Sequence, residues 1–478
     1  MHDLKPYPAY KNSGVPWLRE VPSHWEVRRG KNVFHCVDVR SANGEEELLT
    51  VSSERGVIPR HSAAVTMFKA ESYIGYKLCW PGDLVINSLW AWGRGLGVSR
   101  YHGIISSAYG VYRLRRELES YSRFIHELDR SQPFNWELHV RSRGIWISRL
   151  QLTDEAFLGA LIPLPPPAEQ CAIIRFLDYA DRGIRRYIRT KKKLIALLNE
   201  QKQVIVHHAV TRGLDPNIRL RPSGVEWLGD VPVHWEIWSI GHFGRVGNGS
   251  TPSRGNTAYW NDGTYPWLNS ASVNRRRISA ADQFVTEQAL RECHLPRVQP
   301  GSVLVAITGQ GKTRGTAAIL NIEATINQHL AYITPRREVV NPEYLLLVLG
   351  GAYHELRAIS ADSGSTKGAL TCGDIAHFKV ALPPPDEQAR IVSAVERETQ
   401  YVNSVTARAE REINLLHEYR TRLIANVVTG KLDVRKAAAH LPDEGEETGL
   451  LDEGGAMAED GESGADADLD DAAEEAVA

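Results

Sequence analysis

One block of this chain occurs twice, and the repetition dictates the architecture. Leu164-Pro165-Pro166-Pro167-Ala168-Glu169-Gln170 returns 218 residues later as Leu382-Pro383-Pro384-Pro385-Asp386-Glu387-Gln388. The offset holds without a gap to Ala209-Val210-Thr211-Arg212-Gly213-Leu214-Asp215 and Val427-Val428-Thr429-Gly430-Lys431-Leu432-Asp433. Between these ends both copies are apolar at heptad spacing. In the first, Ile174, Ile188, Ile195 and Ala209 share one core position and Leu177, Ile184, Leu198 and Ile205 the other, interrupted by Asp181, Lys191 and Lys202. In the second, Val392, Ile413 and Val427 alternate with Val395, Val402, Ala409, Leu416 and Leu423. The period predicts two long helices, and two seams of equal length predict one pair. The prolines cannot continue a helix, so the helices start at about Ala168 and Asp386. At ~1.5 Å per residue, roughly forty residues make a rod of ~60 Å. Gly183 weakens the first helix by ~1 kcal/mol relative to Ala.

A second repeat precedes each helix at some distance. Ser13-Gly14-Val15-Pro16-Trp17-Leu18 and Val21-Pro22-Ser23-His24-Trp25-Glu26 return 210 residues on as Ser223-Gly224-Val225-Glu226-Trp227-Leu228 and Val231-Pro232-Val233-His234-Trp235-Glu236. The chain is a tandem duplication whose intervening domains differ by insertions. The spacing of His24 and His234 matches no metal-ligand pattern, and the flanking Pro and Trp predict a packed lead-in strand. Within the domains, Pro81-Gly82-Asp83-Leu84-Val85-Ile86 and Pro300-Gly301-Ser302-Val303-Leu304-Val305 predict a turn followed by a buried strand. Ser106-Ser107-Ala108-Tyr109 and Asn327-Gln328-His329-Leu330 precede comparable strands.

Charge narrows the partners. The formal net charge of −2 conceals 15 carboxylates between Asp443 and Glu475; with those set aside, 43 acidic face 56 basic residues, a balance of +13. A basic body suits a polyanion. The tail lacks aromatics, should be disordered, and is read as a solubilising extension rather than a DNA mimic. No apolar run approaches the ~20 residues that span a bilayer, and the start lacks the order of a signal peptide. Cys36, Cys79, Cys171, Cys293 and Cys372 are odd in number and scattered, which indicates neither a disulfide framework nor a metal knuckle.

The loops carry the polar chemistry, and the candidate DNA-binding residues come from them. Trp92 and Arg94 lie in the turn Trp90-Ala91-Trp92-Gly93-Arg94-Gly95. Asn248 and Arg254 lie in Gly247 to Arg254, Arg275 and Arg276 in Asn274 to Arg277, and Lys312 and Arg314 in the glycine turn that follows Ile307. Arg149 and Lys367 each stand just before a proline stop, 218 residues apart. A single arginine is ordinarily a solvated side chain; a basic residue at the same place in both halves is what gripping two stretches of one phosphate backbone requires. Ala306 to Thr313 fits a relaxed phosphate-loop pattern, but Arg314-Gly315-Thr316-Ala317-Ala318-Ile319-Leu320 predicts turn then strand, where a phosphate loop leads into a helix. Asn341-Pro342-Glu343-Tyr344 differs from the amino-methyltransferase motif in its third place and predicts a helix start instead.

The lead-in ending Pro-x-His-Trp-Glu, the Leu-Pro-Pro-Pro-x-Glu-Gln helix start, the Val-Thr-x-x-Leu-Asp exit and the divergent domains between them resemble the specificity (S) subunit of a type I restriction-modification system, from about Tyr10 to Arg435. The resemblance implies an α+β fold of two α/β target-recognition domains separated by a pair of long antiparallel coiled-coil helices, a pseudo-twofold tandem repeat. It divides the chain into a first target-recognition domain with lead-in (1–163), a first spacer helix (164–218), a second such domain with lead-in (219–381), a second spacer helix (382–436) and the acidic tail (437–478). It implies a cytoplasmic, non-catalytic subunit that reads an asymmetric two-part site on double-stranded DNA. Methyltransferase (M) subunits, two by expectation, and restriction (R) subunits would dock on it. The subunit itself would hold no cofactor; S-adenosylmethionine, ATP and Mg would belong to the partners. The cluster Arg185, Arg186, Arg189, Lys191, Lys192 and Lys193 leaves DNA, partner docking and solvation open. Two rival classes remain, a coiled-coil scaffold without base readout and a nucleotide-binding protein acting through Lys312.

Overall fold

The computed structural model describes residues 4–63, 72–144, 150–309, 313–361 and 369–442, without the side chains of 360 and 361. Arg149, Lys312, Lys367 and the acidic tail beyond 442 lie outside the described residues. Contacts divide the chain into two units, residues 1–189 with 412–478, and residues 190–411. Each holds one β-rich domain and part of both long helices.

In unit 1, Glu26–Arg29 pairs antiparallel with Leu161–Leu164, so the lead-in forms a ladder with the strand that runs into the proline stop. Between them β1 (Phe34–Cys36), β2 (Leu84–Ile86), β3 (Leu96–Val98) and β4 (Gly110–Leu114) form an antiparallel sheet in the order β1-β4-β2-β3. The turn into β2 works as the sequence predicts. Gly82 adopts φ 94°, β2 is buried along its length, and the buried Asp83 carboxylate accepts from Arg113 of β4 at 2.7 and 2.8 Å. Helices α1 (Ser122–Asp129) and α2 (Gln132–Arg141) bury Phe124, Ile125, Leu128, Phe134 and Leu138 in one core with Leu84, Ile86 and Leu96. The long helix α3 (Pro167–Arg212) follows.

Unit 2 repeats the plan. Glu236–Ser239 pairs with Lys379–Leu382. Its sheet comprises β5 (Gly244–Asn248), β6 (Arg277–Ile278), β7 (Val303–Ala306), β8 (Ala317–Leu320) and β9 (Leu330–Pro335) in the order β5-β9-β7-β8-β6, antiparallel except for the β6–β8 pair. The first four of these match β1-β4-β2-β3. A three-stranded sheet of Gln283–Val285, Tyr265–Leu268 and Thr325–Ile326 is added beside it. Helix α4 (Pro342–Gly351) starts where the Asn-Pro pair predicts, with the Asn341 side chain accepting from Glu343 N at 2.9 Å. The stretch after Thr313 enters strand β8, not a helix, which removes the anion-holding helix end a phosphate loop needs.

Helices α3 and α5 (Pro385–Val428) each place proline at the first helical position, where its missing N–H costs nothing. The heptad seam is the buried face: Ile174, Leu177, Ile184 and Ile188 in α3, and Val392, Val395, Val402, Ala409, Ile413 and Leu423 in α5. The helices pack antiparallel, Asp181 meeting Arg420 in unit 1 and Lys202 Nζ meeting Asn403 Oδ1 at 2.8 Å in unit 2. Among the described residues no helix is long and apolar enough to cross a membrane.

The repeated motifs converge on one joint in each unit. Glu169 Oε2 lies 2.6 Å from His24 Nε2, while its Oε1 accepts from Trp25 Nε1 at 2.8 Å and from Tyr7 Oη at 2.6 Å. Glu387 Oε2 lies 2.8 Å from His234 Nε2. The glycine just past each helix end adopts φ 75°, the left-handed turn that closes a helix. A side chain at Gly430 would collide with Pro22 and press on Trp25 at 3.3 Å; one at Gly213 would meet Trp235 at 3.3 Å. Gly430→Ala should therefore lower the melting temperature clearly more than Gly213→Ala. Both lose roughly 1–2 kcal/mol to the left-handed backbone, and the first adds an overpacking cost of about 1–3 kcal/mol. Equal melting shifts in a thermal scan would refute this account of the joint.

Candidate nucleic-acid interface

The loops singled out by sequence occupy equivalent places. Residues 87–95 connect β2 to β3 and residues 307–316 connect β7 to β8, the same hairpin position in the two sheets. Each is tied by the same backbone bond: Leu152 N donates to Ser88 O at 2.9 Å, and Leu370 N, 218 residues on, donates to Ile307 O at 2.8 Å.

In unit 1 the loop is shaped by Trp90. Its ring covers the turn so closely that a side chain at Gly93 would enter it, and one at Gly95 would lie 2.7 Å from Trp90 O. Trp92 donates from Nε1 to Leu89 O at 3.1 Å, and its ring faces Trp90 at 6.5 Å and His139 at 6.2 Å. Arg94 is exposed, in the left-handed region at φ 64°. Three side chains of α1, α2 and the turn between them anchor this region from behind. Asn135 Nδ2 donates to Ala91 O at 3.2 Å, and His126 Nδ1 accepts from Val98 N at 3.2 Å. Arg130 donates to Leu96 O at 2.6 Å, Ser53 O at 2.7 Å, and Arg94 O and Ser52 O at 3.4 Å, clipping the loop to the hairpin of Leu49–Ser52 and Gly56–Pro59. Burial, with Arg94 adding to it, pulls the Arg130 guanidinium down to about 10. Burial, reinforced by Arg130, pulls His126 down to about 4.

In unit 2 Asn248 ends β5 and opens a loop packed on the residues before β9. A side chain at Gly249 would collide with Ile326 O, so the approach needs glycine. Trp267 Nε1 donates to Ser250 O and Trp260 Nε1 to Ser253 O, each at 3.1 Å. The exposed Arg254 guanidinium lies 3.8 Å over the Trp260 ring and 5.2 Å from Trp267, and donates to Gln283 Oε1 at 2.8 Å. Stacking fixes the cation while leaving donors outward. Arg314 is half-buried, its carbonyl accepting from Arg357 Nη1 at 3.2 Å. Asn248 and Arg254 share one loop, and Arg314 sits in the loop whose Ile307 N bonds His329 O at 3.0 Å. Arg276 is engaged elsewhere, 3.7 Å from both Glu343 and Glu396, while Arg275 beside it is exposed. Sequence reasoning passed over Arg130, His126, Thr251, Thr308, Gln328 and His329. The polar triplet Asn327-Gln328-His329 ahead of a strand was the available signal for the last two.

Residues 232–415 match the family described as the type I restriction modification DNA specificity domain. Among curated relatives, the type I restriction enzyme EcoR124I/EcoR124II specificity subunit of Escherichia coli is 22% identical over 262 residues, covering 53% of this chain and 59% of the relative. The chain thus spans about three fifths of that relative's length. A protein of Methanocaldococcus jannaschii carrying the provisional name of MjaX specificity subunit is 22% identical over 439 residues, 87% of this chain and 96% of its own. A solved structure described as showing complex assembly and conformational transition of the type I R-M system superposes with a TM-score of 0.58 at 19% identity, covering 86% of this chain and 99% of that one. At that identity the likeness is one of fold.

Arg130→Ala should raise amide exchange across Asn87–Gly95 and Ser52–Ser53 by about tenfold or more, the equivalent of losing one charged hydrogen bond of ~1.5 kcal/mol; unchanged protection would refute the clip. His126 gives a pH dependence. Its folded value near 4 lies below the ordinary 6.5, so the unfolded chain takes up the proton first on acidification. Stability from this group is present above pH 6.5 and is lost as pH falls towards 4, by roughly 1–2 kcal/mol between pH 7 and 5. Buried Asp129, held well above the usual carboxylate range, acts in the opposite sense in any variant. Comparing melts of wild type and His126→Gln therefore isolates the histidine, and parallel pH profiles would refute it.

Proposed function

We propose that this chain, which belongs to the specificity-subunit family of type I restriction-modification systems, binds double-stranded DNA and reads a site in two parts, one with each unit. The observation that carries the reading is the pair of unlike loops held at one position of a repeated sheet by the same bond from Leu152 or Leu370. A scaffold that repeats while its loops diverge is what two readers of different sequence need. Discrimination then multiplies, since each wrong base pair costs ~1–3 kcal/mol in either part.

On this reading residues 1–163 and 219–381 are the target-recognition domains, 164–218 and 382–436 the spacers, and 437–478 a solubilising tail. Trp92 and Arg94 in one loop, and Asn248, Arg254, Arg275, Lys312 and Arg314 in the other domain, supply base and backbone contacts, while Arg276 is held by Glu343 and Glu396. Arg149 and Lys367 hold phosphates. The subunit works in the cytoplasm, docks two M subunits and the R subunits, and performs no chemistry. Adenine methylation with S-adenosylmethionine, and ATP- and Mg-dependent translocation and cleavage, belong to those partners.

Methylome sequencing of a host with and without the gene tests the reading: a two-part methylated motif should appear with the gene, and no difference would overturn it. In gel shifts of the assembled complex, Arg149→Ala or Lys367→Ala should weaken binding to all DNA alike and lower the slope of log affinity against log salt by about 1, whereas changes from Trp92 to Arg94 should alter sequence preference. Unchanged affinity and preference in all of these would displace the DNA face from these loops.

A further inference from the structure

Four polar side chains on three different connections of unit 2 are joined end to end. Thr251, in the loop after β5, donates from Oγ1 to Gln328 Oε1 at 2.6 Å. Gln328 Nε2 lies 3.2 Å from His329 Nε2, and His329 Nδ1 lies 2.8 Å from Thr308 Oγ1 in the loop after β7. The backbone beneath is fixed. Asn327, itself buried, accepts from His329 N at 3.0 Å through Oδ1 and donates from N to Leu268 O at 2.9 Å. Gln328 itself is exposed.

Exposed hydrogen bonds of this kind contribute little to folding, because water would satisfy the same groups. What the chain does is orient an amide. A glutamine amide has two N–H donors and two acceptor lone pairs. Thr251 and His329 occupy one acceptor position and one N–H. Exchanging the amide O and N would reverse both bonds, with Thr251 accepting and His329 donating, and would occupy the same two kinds of position. In either arrangement one N–H and one lone pair remain, on a side chain exposed to solvent. Adenine alone among the bases offers the complement in the major groove, an acceptor at N7 next to a donor at N6; guanine offers two acceptors, cytosine a donor, and thymine an acceptor beside a methyl.

We propose that Gln328, held by Thr251 and the His329–Thr308 pair, reads an adenine in the half-site contacted by unit 2. The assignment rests on the DNA-reading function above and adds a base identity to it. Gln328 is the specificity residue; Thr251, His329 and Thr308 position it.

The test offers a duplex library randomised at every position to the full chain assembled with its methyltransferase subunits, and sequences the bound DNA. The wild type should select a two-part sequence. Gln328→Ala should lose about tenfold preference for adenine at one position of one part and leave every other position unchanged. Gln328→Glu, of the same shape but able only to accept when ionised, should shift that position towards cytosine, whose N4 donates. Thr251→Val should broaden the same position more weakly. The assignment is overturned if Gln328→Ala leaves all preferences intact, lowers affinity equally for every sequence, or alters the part read by unit 1. A wild-type complex that selects no two-part sequence overturns the functional reading itself, and this assignment with it.

Discussion

A carboxylate at the start of each long helix holds each unit closed. Glu169 sits in the first turn of α3 and takes His24, Trp25 and Tyr7; Glu387 sits in the first turn of α5 and takes His234. The same lead-in also receives the end of the opposite helix, Gly430 of α5 over Trp25 and Gly213 of α3 over Trp235. Lead-in, helix start and helix end are thus three parts of one joint, which explains why the sequence of all three is repeated while the domains between them keep only their sheet order. A buried carboxylate is costly unless its oxygens are filled, and Glu169 fills both of them. Its hold raises the Tyr7 hydroxyl far above its usual range, burial being the larger cause and the carboxylate the second.

The helix pair shows how little burial a two-helix seam requires. Ile195, Leu198, Ile205 and Leu416 of the seam are only half-buried, and Leu194, Leu197, Val204, Tyr401 and Leu415 stand exposed on the outer faces. Apolar seams alone would permit sliding by a heptad. Two of the polar interruptions oppose that, Asp181 through Arg420 and Lys202 through Asn403. A polar residue at a core position that finds its partner in one alignment fixes the register at some cost in stability.

The helices, their prolines, the lead-in strands and the turns at Gly82 and Gly301 were legible because each rests on a local rule: period, proline geometry, or a glycine that must turn. That the Trp90–Gly95 and Gly309–Gly315 stretches are counterparts was not legible, since they share only glycines and a closing Arg-Gly pair; strand order reveals it. Arg130 was invisible for a related reason. Its acceptors are backbone carbonyls of Ser52, Ser53, Arg94 and Leu96, which carry no signature in sequence. Arg276 shows the converse, a basic residue in a basic run that the fold sets against Glu343 and Glu396.

The two units solve one problem by different chemistry. A loop that discriminates between bases must keep its shape when DNA arrives, because ordering it on binding would subtract from the discrimination. Unit 1 stiffens its loop with groups taken out of water: the Arg130 cation holds the carbonyls of Arg94 and Leu96, and His126, kept neutral by burial, accepts from Val98 N. Unit 2 uses surface instead, stacking Arg254 on Trp260 and chaining Thr251 to Thr308 through Gln328 and His329. The first arrangement ties loop shape to the core, so that changing the loop threatens the fold. The second leaves the core alone, and its side chains can be exchanged one at a time. On the proposed function, unit 2 is therefore the half in which a new base preference can arise by single substitutions, while unit 1 changes preference only together with the residues behind its loop.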